Sequence, residues 1–461
     1  MKKRIVALVM LVIMVFTLSG TIFASNQISV CVDGKYVSFD TSPIRDGSRV
    51  LVPMRAIFEN LGASVSYKDS EKKITAVKDD TTIILVLGSN IALINGKEEI
   101  LDVPAKAISG KTYVPLRFVG QALGYPVEYE SSSQTVYIGK KPDRPAYVTR
   151  TQTVNNRSVQ IVEIAPGALT PHVYVANNKI GTHQSMSQMV EASGAVIAVN
   201  GTFFDSYTTE DYYAPWGNII KDGNLIHRGD TGTTVGFTAD GEVVMGRPDI
   251  SFVCSVTGDG RTRSWYSYGI NRKPASNGAY IYTRDWGTKV GLTKGISIAV
   301  ENGVVTKIVH DADLDIPVNG YAINFVGSPA TQLGDRFKVG YTVEYSVEYP
   351  GSDFGKVVTA VGAGPRLVKD GVAVYDPTSE GFSSDRILTD SASRSAIGVK
   401  SDGTIIIVTT SCTVKQLSEI MKSLGCVQAM NLDGGASSGL YVSGKFLTTP
   451  GRNLSNILYF K

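Results

Sequence analysis

Residues 49–67 of the chain, RVLVPMRAIFENLGASVSY, return 62 positions later as residues 111–129, KTYVPLRFVGQALGYPVEY. Residues 33–40 match residues 95–102 at the same offset. Each copy predicts a short hairpin, a helix that begins at proline and ends at glycine, and two alternating strands. The apolar helix positions have helical spacing and should pack against the sheet of their own unit: Met54, Ile57, Phe58 and Leu61. The repeat predicts a small α+β domain over residues 28–139.

A polar segment with two prolines follows the repeat and predicts a linker over residues 140–147. Beyond it, glycine-rich turns separate short apolar strands, and only residues 183–193 and 414–424 have convincing helical periodicity. We therefore predict a larger mixed-sheet α+β domain over residues 148–461, so that the whole chain has a two-domain α+β fold.

The first 24 residues have the composition of an export signal. Lys2, Lys3 and Arg4 precede an apolar run over residues 5–18 and a small-residue exit that ends at Ala24. The favoured prediction is a cleaved signal peptide over residues 1–24, with an uncleaved membrane anchor as the alternative. The rest of the protein is then expected to be secreted or held at the cell surface. The chain has 45 Lys and Arg against 42 Asp and Glu, and three of those cations lie in the leader, so a nucleic-acid partner is excluded.

Four cysteines are present, an even number that raises the question of disulfides. Cys412 and Cys426 lie at opposite ends of the predicted helix 414–424. The ends of such a helix are ~15–18 Å apart, whereas the Cα atoms of a disulfide lie within ~7 Å of each other. We predict buried free thiols.

Residues 435–439, Gly-Ala-Ser-Ser-Gly, fit the Gly-x-Ser-x-Gly pattern of a nucleophile elbow. That motif requires a helix after the serine and a histidine later in the chain. Here a strand-like pattern follows, and all four histidines come earlier. A Ser-His-Asp site is therefore not predicted. The zinc-binding and phosphate-loop spacings are missing from the sequence as well, so we predict no metal and no cofactor.

Four segments place polar and glycine residues at the ends of apolar strands: residues 195–205, 362–371, 393–398 and 430–437. The last is the most suggestive chemically. Asp433 follows a strand, and Gly434 and Gly435 free backbone N–H groups that could form an anion-binding nest beside the carboxylate. The alternative is an Asp-Gly-Gly turn whose carboxylate only stabilises the backbone.

Both parts of the chain resemble known families. The Val-Pro-x-Arg and Leu-Gly motifs of residues 28–139 resemble the copper amine oxidase N-terminal-like domain, although this segment has no histidine. The four segments resemble, in order, the motifs of the phosphodiester glycosidase family: Asn-Gly-x-Phe-Phe, Gly-x-x-Pro-x-Leu, Arg-x-Ala-[Ile/Val]-Gly and Asn-x-Asp-Gly-Gly-Gly-Ser. This resemblance covers residues 148–461. Ala436 replaces the third glycine of the last motif, which predicts reduced backbone freedom there.

The resemblance implies an exported hydrolase that cleaves the glycosidic C–O bond of sugar-1-phosphodiesters, in cell-surface or exopolysaccharide glycans, with α-N-acetylglucosamine-1-phosphodiesters as one candidate. Asp433 would stabilise the oxocarbenium-like carbon or activate water, Asp205 would be a second acid, and Arg394, together with Arg366, would clamp the phosphate. The implied substrate-binding residues are Asn200, Gly201, Thr202, Arg366, Asn431, Gly434, Gly435 and Ser437. Of these, Asn200, Thr202 and Asn431 would bond sugar hydroxyls or fix the carboxylate. The tryptophans Trp216, Trp265 and Trp286 could stack on sugar rings or belong to the core.

The predicted partners are a carbohydrate-phosphate substrate and a cell-surface polymer that the repeat domain holds. The alternative function is a non-catalytic surface protein that binds a glycan or a teichoic-acid-like polymer.

Overall fold

The computed structural model describes residues 28–461 except 38, 40, 42, 109, 131–134 and 143. The predicted signal peptide, residues 38 and 40 of the repeat match and residue 143 of the linker lie outside the described residues. The structure is 46% strand and 14% helix, which confirms the predicted α+β class with mixed sheets. In the described part of the chain, no helix is long and apolar enough to cross a membrane.

The two repeat units have the same order of elements, except that only the first contains the 3-10 turn Asp69–Glu71 and the additional strand Thr81–Val86. Pro53 and Pro115 precede their helices, and Gly62 and Gly124 follow them with φ of 77° and 83°, a conformation that glycine adopts without strain. The first unit contains the strands Ser29–Val32, Lys35–Tyr36, Ile44–Asp46, Arg49–Pro53, Ser64–Lys68, Lys73–Lys78 and Thr81–Val86, the helix Met54–Asn60 and the 3-10 turn Asp69–Glu71. The second unit contains the strands Ile91–Ile94, Lys97–Ile100, Lys106–Ile108, Lys111–Pro115, Val127–Glu130 and Thr135–Ile138 and the helix Leu116–Ala122.

The repeat units exchange strands instead of forming separate sheets. Ser29–Val32 pairs in parallel with Thr135–Ile138 of the second unit, and Thr81–Val86 pairs with the first strand of the second unit. In another sheet the strand Arg49–Pro53 pairs with Lys111–Pro115, and Val52 lies opposite Val114. Both helices pack into one shared apolar core. Each helix packs on strands of its own unit, as predicted, and also on a strand of the other unit, because one repeat unit has too little sheet to bury its apolar face alone.

Residues 147–460 form four further sheets. The seven-stranded sheet has the order Tyr147–Val154, Arg157–Ile164, Ile405–Cys412, Ala392–Lys400, Cys426–Asn431, Arg366–Lys369, Val372–Ala373. One five-stranded sheet has the order Pro171–Val175, Asn456–Phe460, Ile197–Asn200, Leu440–Val442, Lys445–Thr448. The other has the order Asn224–His227, Ile219–Lys221, Val357–Gly362, Thr234–Thr238, Val243–Gly246.

The eight-stranded sheet lies entirely within residues 251–348, which are inserted between two strands of the second five-stranded sheet. Its apolar core around Trp265, Phe325 and Phe337 is continuous with Ile220 and Ala360 of the second five-stranded sheet. Its order is Arg261–Trp265, Ser251–Gly258, Thr342–Glu348, Val304–His310, Ile296–Glu301, Gly320–Val326, Gly278–Tyr282, Gly269–Ile270.

Both predicted helices of this region are present, as Met186–Ser193 and Val414–Ser423. Thr413 and Gln416 form a reciprocal capping box at the start of the second. The shorter helices are Ser328–Leu333 and Asp385–Leu388, with 3-10 turns at Ala176–Asn178, Gly334–Arg336, Asp353–Lys356, Thr378–Glu380 and Gly435–Ser437. All four cysteines are buried free thiols, as predicted.

Candidate active site

A cleft of about 800 Å³ lies where the strands Ile197–Asn200, Ala392–Lys400 and Cys426–Asn431 end or begin. These strands belong to two different sheets. Six of the predicted site residues line the cleft: Asp205, Arg394, Asp433, Gly434, Gly435 and Ser437. The fold therefore brings segments that are more than two hundred positions apart in the chain to one opening.

Asp433 is the most perturbed acid of the cleft. Its side chain is buried, with 9% of the residue exposed. Burial raises the pKa of Asp433 from 3.8 to about 7, because a charged carboxylate loses its hydration there. Hydrogen bonds from Ser437 and from the backbone N–H of Gly434, at 2.7 Å to Oδ1, limit this rise. Asp433 can therefore exchange a proton near neutral pH, as a catalytic acid or base must.

The glycine turn after Asp433 orients backbone N–H groups beside the carboxylate. Gly434 is extended, and Gly435 has a left-handed φ of 62°. Ala436 lies in the following 3-10 turn and is not among the residues with positive φ. Its Cβ therefore fits the turn, and the expectation that alanine has less backbone freedom there than glycine stays a prediction. Within the described residues, the N–H groups of Gly435 and Ala436 have no recorded acceptor, which leaves them free for an anion.

Arg394 is buried below the cleft, with 2% exposed. Its Nη2 donates to the carbonyls of Arg386 at 2.6 Å and Asp390 at 2.8 Å, and its Nε donates to the carbonyl of Cys412 at 3.2 Å. Nη1 has no recorded acceptor within the described residues and would lie 3.6 Å from a Cβ on Gly434. The guanidinium is therefore held by three carbonyls and aims one nitrogen towards the glycine turn.

Two further arginines, Arg452 and Arg386, line the cleft and were missed in the sequence. Their guanidinium carbons lie 4.8 Å and 5.4 Å from the centre of the Tyr207 ring. Arg452 also donates to the Tyr207 hydroxyl at 2.7 Å and to Ser206, and these contacts lower the pKa of Tyr207. Only the flanking Pro450 and Gly451 could have marked Arg452 as a loop residue in the sequence. The cleft thus has a cationic rim.

Asp205 and Trp216 form a pair at the other side of the cleft. The indole Nε1 of Trp216 donates to Oδ1 of Asp205 at 2.8 Å. Trp216 is 41% exposed, whereas Trp265 is buried in the core of the inserted sheet, and Trp286 packs against Tyr212 and Tyr282. Of the three tryptophans, Trp216 is therefore the one that lines the cleft.

Four predicted substrate-binding residues lie behind the cleft wall. The side chain of Asn200 bonds Ser395, Gly439 and the Asp433 carbonyl, and Thr202 bonds Phe203 and Gly217. Asn431 donates to the carbonyls of Gly364 and Leu432, and Gly201 packs against Asn456. The bonds of Asn200 and Thr202 hold the strand ends together, and Asn200 supports the backbone of Asp433. Among the described residues, Oδ1 of Asn431 is buried without a hydrogen-bond partner. Contact of these side chains with the substrate stays a prediction.

Arg366 does not contribute to the cleft. Its Nε donates to the carbonyl of Val368 and its Nη1 to that of Met245, both at 2.8 Å, and its Nη2 bonds the side chain of Gln428. All three nitrogens are occupied within the fold, and burial lowers the pKa of this arginine. The prediction that Arg366 binds phosphate is therefore corrected.

The Gly-x-Ser-x-Gly segment is a 3-10 turn followed by the strand Leu440–Val442. A nucleophile elbow would continue into a helix. Ser437 bonds the Asp433 carboxylate. The segment is therefore not a nucleophile elbow, in agreement with the sequence analysis, and its serine donates a hydrogen bond to the Asp433 carboxylate.

Two family models match the chain. Residues 31–138 match the copper amine oxidase N-terminal domain, and residues 294–461 match the phosphodiester glycosidase family. A primary amine oxidase from Klebsiella aerogenes is 26% identical over 161 residues, which are 35% of this chain and 20% of that protein. The chain thus spans about a fifth of that curated relative. Both resemblances drawn from the motifs are confirmed, although the phosphodiester glycosidase match covers residues 294–461 and not the whole predicted range of 148–461.

Solved structures share the fold. A hypothetical protein from Synechocystis has a TM-score of 0.58 at 19% identity and covers 94% of this chain and 98% of its own. A putative exported protein from Burkholderia pseudomallei has a TM-score of 0.53 at 20% identity, with 66% of this chain and 74% of that chain covered. The phosphodiester glycosidase match begins at residue 294. Asp205 and Trp216 line the cleft but belong to the part of the chain before this match.

Proposed function

We propose that the second domain hydrolyses the glycosidic bond of sugar-1-phosphodiesters. The observation that supports this most is the placement of the buried Asp433, whose pKa is raised to about 7, in one cleft with Arg394 and Arg452. A strongly perturbed acid beside cations in a cleft is typical of catalytic sites. The phosphodiester glycosidase match of residues 294–461 supports the same reaction class.

In the proposed reaction the substrate phosphate lies against Nη1 of Arg394, the guanidinium of Arg452 and the free N–H groups of Gly435 and Ala436. Two guanidiniums and a backbone nest stabilise the negative charge that develops on the leaving phosphate. The phosphate departs as a stable anion, so the reaction needs little help from a general acid.

Asp433, in its ionised form, accepts a proton from the attacking water while the water oxygen bonds the anomeric carbon. The glycosidic C–O bond breaks and its electron pair leaves with the phosphate. The products are a free reducing sugar and a phosphate monoester. Ser437 and the Gly434 N–H orient the carboxylate, because each donates a hydrogen bond to it.

We further propose that the substrate is an extracellular or cell-surface glycan and that the repeat domain holds a surface polymer. The leader over residues 1–24 supports export. The alternative of a non-catalytic binding protein rests on Ala436 and on the attachment-like repeat domain. The Cβ of Ala436 fits the turn, and binding alone would not require the buried acid Asp433 beside two arginines. We therefore favour the hydrolase.

The deciding experiment is turnover of a sugar-1-phosphodiester in ¹⁸O-enriched water. Cleavage of the C–O bond leaves the phosphate monoester unlabelled, and this product is the diagnostic one, because the anomeric oxygen of a free reducing sugar exchanges with water. Label in the phosphate product would indicate a phosphoesterase, and that outcome, or the lack of turnover over a panel of sugar-1-phosphodiesters, would contradict the proposal.

A further inference from the structure

We propose that a second cavity beside the cleft is a subsite for an additional, uncharged sugar residue, so that the substrate is an oligosaccharide or polysaccharide phosphodiester. This inference rests on the proposed function and extends it to the substrate class. The cavity has a volume of about 410 Å³, within the range of ligand pockets. Asp205 and Trp216 line both cavities, so the two meet along this hydrogen-bonded pair.

The walls of the second cavity come from two parts of the fold. One wall is formed by Tyr212, residues 214–216 and residues 227–231. The other is formed by Arg272 and Lys273, which follow the edge strand Gly269–Ile270 of the inserted sheet. The insertion of residues 251–348 therefore contributes directly to the opening beside the proposed catalytic groups.

The two walls are fastened to each other by buried polar contacts. Across the two walls, Nδ1 of His227 lies 3.0 Å from the Asn271 carbonyl, and within its own wall Nε2 lies 2.9 Å from the Pro215 carbonyl. The neutral ring donates to one of these two carbonyls. The Asn271 side chain also donates to the carbonyl of Ile226 at 2.8 Å and to Thr283 at 2.7 Å. A cavity whose walls are held in this way is formed before any ligand arrives, which lowers the entropic cost of binding.

The chemistry of the lining suits an uncharged sugar. Arg272 pairs with Asp230 at 2.8 Å, and Lys273 pairs with Glu210. These ion pairs offer both donors and acceptors to hydroxyl groups while they largely cancel each other's charge. Trp216 adds an exposed indole, held by Asp205, against which the apolar face of a sugar ring can pack. By contrast, the rim of the main cleft has the arginines that suit a phosphate.

The test is binding of phosphate-free sugars to the full-length protein by calorimetry. The probes are β-1,4-linked N-acetylglucosamine oligomers, cello-oligosaccharides and malto-oligosaccharides, each with one to four residues. We expect affinity for one series to rise at least about tenfold between one residue and three, since a second occupied subsite adds contacts. Arg272→Ala and the milder Arg272→Gln should remove this rise, and Arg261→Ala, an exposed arginine of the same inserted sheet, should not.

Affinity that is independent of length in all three series, or a length dependence that survives in both Arg272 variants with unchanged thermal midpoints, would overturn the inference. Binding of inorganic phosphate that is lost with Arg272→Ala would assign the cavity to an anion and would also overturn it. Failure of the proposed hydrolysis is seen separately, because the ¹⁸O experiment uses a substrate with a single sugar and needs no second subsite.

Discussion

The side-chain amide of Asn200 donates to the backbone carbonyl of Asp433 at 2.6 Å, although the two residues are 233 positions apart. Oδ1 of the same amide accepts from Ser395 at 2.6 Å and from the Gly439 N–H at 3.0 Å. One buried amide therefore joins both sheets at the point where the catalytic candidate leaves its strand.

Asn200→Leu should destabilise the fold and reduce activity only through that loss. The substitution leaves buried groups of Asp433, Ser395 and Gly439 without partners, at ~1–3 kcal/mol for each unsatisfied group. Chemical denaturation should show a free energy of unfolding lower by more than about 2 kcal/mol. An unchanged free energy of unfolding together with a raised KM would instead indicate that Asn200 contacts the substrate.

Asp433→Asn should lower kcat and kcat/KM together by ~10²–10⁴-fold, because it removes the proton acceptor while it keeps the size of the side chain. The thermal midpoint at pH 7 should stay the same or rise, since burial disfavours the charged carboxylate. Gly435→Val is the contrasting variant, because its φ of 62° strains any branched residue, and it should lower the midpoint. If the Asp433→Asn enzyme stays active, the carboxylate only stabilises the turn and has no catalytic role.

The rate should depend on pH through Asp433. Its pKa of about 7 lies above its ordinary 3.8, and the ionised form is the base, so kcat/KM should rise with pH and level off above about 7. Arg452 lowers the pKa of Asp433 through its positive charge. Arg452→Met should therefore move the rising part of the kcat/KM profile to higher pH, in addition to any fall in its plateau value. A limb that moves to lower pH, or stays in place, would show that Arg452 does not act on Asp433.

Arg394→Lys should not restore the activity that Arg394→Ala loses. A lysine cannot bond the carbonyls of Cys412, Arg386 and Asp390 and still present a nitrogen to the phosphate. Arg366→Lys is the matched control, because the guanidinium of Arg366 also donates to backbone carbonyls but lies outside the cleft. It should lower the thermal midpoint with little change in kcat. Equal loss of kcat in both lysine variants, at equal thermal midpoints, would contradict the assignment of Arg394, but not Arg366, to the phosphate.

The repeat domain should be dispensable for chemistry on a small soluble substrate. The fragment has to begin before the strand Tyr147–Val154, since Ala146 already bonds Ala165 and Arg144 pairs with Asp402. A fragment from residue 140 should keep kcat and lose retention at the cell surface. If this fragment is folded by circular dichroism but inactive, the division of labour between the two domains is wrong.

Local sequence was sufficient for features whose cause is local. The repeat offset, the proline and glycine limits of the helix Met54–Asn60, the helix Val414–Ser423 and the free thiol of Cys412 all follow from spacing and backbone preference. Asp433 could be singled out for the same reason, because a strand followed by two glycines is visible in a short window. The four ordered motifs were likewise enough to identify the glycosidase family.

Tertiary structure alone decided which polar side chains face the cleft. Asn200 and Arg366 belong to motifs as suggestive as that of Asp433, yet their hydrogen-bonding groups are consumed inside the fold. Arg452 has no motif and reaches the site because its loop folds back over Tyr207. The reason is that a sequence fixes the kind of group at a position, whereas burial and the choice of partner depend on strands far apart in the chain. The same holds for the pKa of Asp433, which burial sets, and for the strands that the two repeat units exchange.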